Sequence, residues 1–178
     1  MEIKPLIKFK NNMRKVILSL VVVASMLTAC KGEKKEKVAA KEAVKVKVNV
    51  DELNNVDTAV SVLNWKGTKP TGTHNGTVAL KSGGLLIENG KLTQGVFVID
   101  LASIKVLDIP VEEKGNGKLV GHLTSADFFD VAVYPTSKFV ITSVKETEGK
   151  LAVTGNLQIK DVTKSVTIPA TISTENGV

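Results

Sequence analysis

The chain is poor in the residues that carry most protein chemistry. It has one cysteine, Cys30, so no intrachain disulfide can form and no thiolate cluster can hold a metal. It has two histidines, His74 and His122, one Trp, one Tyr and five Phe in 178 residues. Two histidines with Asp127 nearby have no metal-ligand spacing. Ser125, Asp127 and His122 crowd one short stretch and cannot form a nucleophile–base–orienter set. Glu112 and Glu113 are paired only in sequence and read as a solvated loop over Pro110–Lys118. No constellation for an enzyme is present, and no cofactor is implied. There is also no apolar run of the ~20 residues that a spanning helix needs.

What is there begins at the lone cysteine. Leu27-Thr28-Ala29-Cys30 follows a basic stretch (Lys8, Lys10, Arg14, Lys15) and an uncharged run from Val16 to Leu27. That order is a secretory signal ending in a lipoprotein box. Residues 1–29 are therefore expected to be removed behind Ala29, with Cys30 carrying the lipid, and Met13 offers an alternative start. The expected address is the bacterial cell envelope, with Lys31 after the cysteine leaning towards the outer membrane.

The formal charge of +6 does not survive this reading. Residues 1–29 hold five basic residues and Glu2, and residues 31–53 hold seven lysines and five acids. From Asn54 onward 12 lysines meet 12 acids, so no basic surface for nucleic acid remains. Residues 30–53 (Lys, Glu, Ala and Val, without an aromatic) read as a lipidated tether. As a coil, its 23 residues after the cysteine would span roughly 25 Å.

Residues 54–178 read as one all-β domain. Leu63 and Trp65 alternate with polar or exposed neighbours, as do Val78 with Leu80, Phe97 with Ile99 and Leu101, Phe139 with Ile141, and Leu157 with Ile159. Period-2 patterning of this kind describes strands with one buried face. Asn75-Gly76, Ser82-Gly83-Gly84, Asn89-Gly90 and Glu148-Gly149 are read as hairpin turns. Thr124 with Asp127 resembles a capping box, which predicts a short helical turn near 125–129 whose Phe128 and Phe129 plug one barrel end. Asn176-Gly177 signals a further turn one residue before Val178.

Three ordered blocks resemble the YceI-like family of periplasmic or secreted polyisoprenoid-binding proteins. They are His122–Phe139 (HLTSADFFDVAVYPTSKF), Gly95–Ile104 (GVFVIDLASI) and Thr154–Lys164 (TGNLQIKDVTK). The resemblance runs from about Asp57 to Ile172. It implies an antiparallel, lipocalin-like barrel whose apolar lumen holds an isoprenoid or quinone-like lipid. The inward-facing lumen candidates are then Leu63, Trp65, Val78, Leu80, Phe97, Ile99, Leu101, Phe128, Phe139, Ile141, Leu157 and Ile159. Two departures stand out. Asp161 occupies a turn position where relatives usually carry Gly, and the family's final strands are missing. A barrel without those strands would leave two edges open, through which a homodimer could pair. The function expected is a membrane-anchored lipid carrier or buffer; the alternative is a structural or envelope-stress lipoprotein with a filled core.

Overall fold

The computed structural model describes residues 39–147 and 150–173 with their side chains, and residues 2–9, 15–19, 174 and 175 as strand backbone. Three N-terminal strands, β1 (Glu2–Phe9), β2 (Lys15–Ser19) and the two-residue β3 (Lys41–Glu42), precede a meander of six long ones. These are β4 (Asn54–Lys69), β5 (Gly72–Glu88), β6 (Lys91–Val106), β7 (Thr136–Thr147), β8 (Lys150–Ile159) and β9 (Val162–Glu175). Each is antiparallel to the next. One helix, α1 (Lys114–Thr124), interrupts the meander between β6 and β7.

The expected open edges are occupied in this chain. β1 pairs with β4, and β2 pairs with both β1 and β9, so the sheet closes into a ring. Both closing strands fall within residues 1–29. β3 continues the β9 edge through Lys41 opposite Ser165. Within the segment read as tether, Lys41 to Val44 thus lie against the barrel. The Asn156 side chain holds it as a strand would, accepting from Val44 N (3.0 Å) and donating to Val44 O (2.6 Å).

The alternation read from the sequence fills the core. Leu63, Trp65, Val78, Leu80, Phe97, Ile99, Leu101, Phe139 and Ile141 are all buried. The strands are too long to alternate without a break, and β-bulges reset the phase. In β6 the pairing jumps from Asp100 opposite Ala79 to Lys105 opposite Thr77. Asp100 Oδ1 accepts from Ala102 N, and Ser103 Oγ accepts from Ala79 N, which replaces the lost ladder bonds. Beyond the bulge the buried positions become Ile104 and Val106.

Two expected turns are strand interior. Asn75-Gly76 and Ser82-Gly83-Gly84 both lie within β5, and the β4–β5 turn is at Pro70-Thr71 instead. Gly76 is there for space: a Cβ on it would meet Lys105 O at 1.8 Å and the Trp65 ring at 2.6 Å. Asn89-Gly90 does form a turn, with φ of 51° and 76°, the pair of positive values that a type I′ hairpin requires. Glu148-Gly149 lies outside the described residues, between Thr147 and its partner Lys150. Asn176-Gly177 also lies outside them. In the β8–β9 turn the left-handed residue is Lys160 (φ 55°), and Asp161 is not in that region.

The helix precedes the place predicted for it. α1 covers part of the segment read as a solvated loop, and 125–129 is a non-helical turn in which Phe128 N donates to Ser125 O (3.1 Å). Thr124 caps nothing forward; its hydroxyl donates back to Val120 O and Gly121 O. Three glycines (Gly115, Gly117, Gly121) make α1 weak by propensity. Packing holds it instead: Leu123 is buried, Leu119 and Val120 lie against the core, and the buried Asn116 amide donates to Val106 O and Ile109 O.

Candidate functional site

The β4–β5 turn, the α1 crossover and the β8–β9 turn share one end of the barrel, here the α1 end. Beneath them lies a cavity of about 30 Å³, lined by Leu63, Trp65, Val78, Ile99, Leu101, Ile104, Phe129, Ser137, Leu157 and Ile159. Seven of the sequence-derived lumen candidates therefore meet here. Leu80, Phe97, Phe139 and Ile141 are buried in the core without lining the cavity.

Phe128 does not enter the lumen; it is 41 % exposed, and Phe129, at 5 %, takes the inward place. The turn decides which ring points in. Phe129 N donates to Leu123 O (3.1 Å), Asp130 N to Ser125 O (2.7 Å) and Val131 N to Thr124 O (2.9 Å), with Asp130 in the left-handed region. Lys160 then straps the turn to the β8–β9 hairpin, donating from Nζ to Ala126 O (3.1 Å) and Phe128 O (3.0 Å). Alternation could not have shown this, because the segment is neither strand nor helix.

Ile104 and Ser137 are the other lining residues that sequence reasoning missed. Ile104 faces in only because the Asp100–Ser103 bulge shifts the phase, and the Asp-x-Ala-Ser spacing was the available signal. Ser137 is the one polar side chain in the lining, and its hydroxyl already donates to Gln158 O (2.5 Å). No charged side chain lines the cavity. The lining is thus apolar apart from the Ser137 hydroxyl.

Beside the cavity, Trp65 Nε1 donates to Lys105 O (3.1 Å). At the rim, His74 Nδ1 lies 2.7 Å from Asp108 Oδ2, and Asp108 Oδ1 accepts from Asn75 N at 2.8 Å. Together with Leu107 N donating to Asn75 O (2.9 Å), this fastens the start of the crossover to β5. Partial burial raises the Asp108 pKa, but the Asn75 N–H and the His74 ring outweigh it and leave the carboxyl below its ordinary value. The His122 ring meets Phe128 edge-on at 6.0 Å. Among the described residues no group of three His, Cys, Asp or Glu could hold a metal ion. Cys30 and Ala29 lie outside the described residues.

The chain is 42 % identical over 88 residues to a UPF0312 protein of Pseudomonas savastanoi, covering 46 % of each. It is 56 % identical over 55 residues to a UPF0312 protein of Pseudomonas putida, covering 30 % of this chain and 29 % of that one. Against Protein YceI of Salmonella arizonae it is 49 % identical over 49 residues, 28 % of this chain and 26 % of the other. The matched region spans less than half the length of these relatives.

Among solved structures, Burkholderia cenocepacia BcnA superposes with a TM-score of 0.47 at 26 % identity, covering 64 % of this chain and 67 % of that one. A Campylobacter jejuni YCEI protein gives 0.39 at 14 %, covering 80 % and 67 %. These scores are too low to bear on family membership. The YceI-like domain itself matches over residues 54–178, which takes in the whole meander and its capping crossover, and the chain belongs to the YceI-like family.

Proposed function

We propose that this protein is a membrane-anchored carrier or buffer that holds a polyisoprenoid or similar amphiphile in its barrel lumen and catalyses nothing. The carrying observation is the lining: apolar side chains plus one hydroxyl whose hydrogen bond is already made. Each methylene withdrawn from water into such a lumen contributes about 0.8 kcal/mol. A long apolar chain therefore gains affinity without any charged contact. In this reading Cys30 bears the lipid that anchors the protein to an envelope membrane, and the head of the guest lies at a barrel mouth.

The cavity as it stands is far smaller than the roughly 300–1,000 Å³ of ordinary ligand pockets. Uptake of a chain requires Phe129 and its turn to move and the lumen to open along its axis. The same small volume favours a second reading, in which the core is filled and the protein acts as a structural or interaction lipoprotein. The deciding experiment is solvent extraction and native mass spectrometry of protein purified from its own membranes. A bound isoprenoid or quinone-like lipid supports the carrier. Lipid-free protein that also fails to take up added isoprenoid supports the filled core.

A further inference from the structure

The exposed apolar side chains are unevenly placed. Val44, Val46 and Val50 belong to the segment before the meander, and Val60 and Val62 lie on β4. All the other strongly exposed large apolar residues sit at the α1 end. Leu107 (60 %) and Val111 (84 %) precede α1; Phe128 and Val133 (63 %) follow it; Val162 (55 %) opens β9 just after the Lys160 that binds Phe128 O. At the opposite end Asn89-Gly90 and its neighbours Glu88 and Lys91 are polar, and the strongly exposed apolar side chain there among the described residues is Val50, just before β4, against five at the α1 end.

Exposing five such side chains around one end costs solvation free energy that another surface can recover. They come from three separate segments, before α1, after α1 and at the start of β9, and a membrane surface can meet all three together. The chain supplies the rest of the argument. Lys41 pairs with Ser165, three residues into β9 from this same end. Only ten residues lie between Cys30 and Lys41, a reach of at most about 40 Å even when fully extended.

We propose that the α1 end is a membrane-docking face: Leu107, Val111, Phe128, Val133 and Val162 insert at the lipid headgroup boundary. The turn that carries Phe129 inward then faces the bilayer, so a lipid passes between membrane and lumen without crossing water. The tether part of this proposal rests on the reading of Cys30 as the anchor; the apolar face itself does not. Side chains of this type at the headgroup boundary act as weak, reversible anchors, which orient a tethered protein rather than hold it alone.

The test uses single-cysteine labelling of the lipidated protein, isolated from its own membranes, in vesicles of phosphatidylcholine with a minor fraction of phosphatidylglycerol. Lipidation blocks Cys30, so Val111→Cys, Val133→Cys and Lys91→Cys each offer one free thiol for an environment-sensitive fluorophore. Docking is expected to shift the emission at 111 and 133 to the blue and to make both quenchable by nitroxide-bearing lipid, while 91 stays water-like. Water-like emission at all three sites overturns it, as does equal quenching at all three. Intact mass measurement of the same preparation reports acylation of Cys30 separately. If acylation is missing, the anchor reading fails, and the labels in the Cys30→Ser background, held to the vesicles by an N-terminal hexahistidine tag on nickel-chelating lipid, decide docking alone: preferential quenching at 111 and 133 supports it, and equal or absent quenching at the three sites overturns it.

Discussion

Phe128 and Phe129 are neighbours with opposite fates: their rings meet edge to face at 4.7 Å and 78°, one 41 % exposed and the other 5 %. The inner ring closes the apolar cavity and the outer one sits on the exposed rim. Phe129→Ala is expected to destabilise the fold by about 3–5 kcal/mol, the cost of a large ring lost from a core. Phe128→Ala should cost well under half of that. Urea unfolding of both variants checks the order, and lipid uptake should rise in Phe129→Ala, where the stopper is gone.

Gly76 and Trp65 form a second dependent pair. A methyl group at 76 would collide with Lys105 O and with the indole. Gly76→Ala should cost about 1–3 kcal/mol by overpacking and displace Trp65 from its bond to Lys105 O. Trp65 is the only tryptophan, so its fluorescence reads the displacement directly. An unchanged spectrum and melting curve would show that β5 and β6 can part without cost.

Acid should loosen the start of the crossover. The Asp108 carboxyl is held below its ordinary value in the folded state, so its contribution is present above the unfolded pKa of ~3.9 and is lost as pH falls through the folded value. Asp108→Asn is expected to remove that component. The stability difference between wild type and variant, followed by urea unfolding from pH 7 to pH 3, should shrink on the acid side.

If Cys30 bears the anchor as proposed, Cys30→Ser should move the protein from the membrane to the soluble fraction, because the apolar rim alone would hold it only weakly. Persistence in the membrane after a carbonate wash would place the anchor elsewhere.

Cleavage behind Ala29 would take β1 and β2 away and bare the edges of β4 and β9. Bare edges of this length recruit further strands. Protein beginning at Cys30 is expected to self-associate through them, with a concentration-dependent mass in sedimentation. A monomer that melts cooperatively at every concentration would refute edge pairing.

Much of the domain was legible in the order of its residues. A one-sided sheet must alternate, so Leu63, Trp65, Phe97, Ile99 and Leu101 announced their burial, and the three family blocks announced the meander. The charge balance after Asn54 and the box before Cys30 are likewise properties of the linear chain. What tertiary structure alone decided are the places where local rules compete with long-range contact. Gly76 resembles half of a turn until a tryptophan eleven residues away needs its space. Ile104 joins the cavity because a bulge restarts the alternation. α1 forms despite three glycines because Asn116 and Leu123 find partners in the barrel. His74 and Asp108 meet across 34 positions. Between Phe128 and Phe129 the sequence offers no preference; the left-handed Asp130 and the Lys160 strap turn one ring inward, because hydrogen bonds to that turn's backbone leave a single way to fold it.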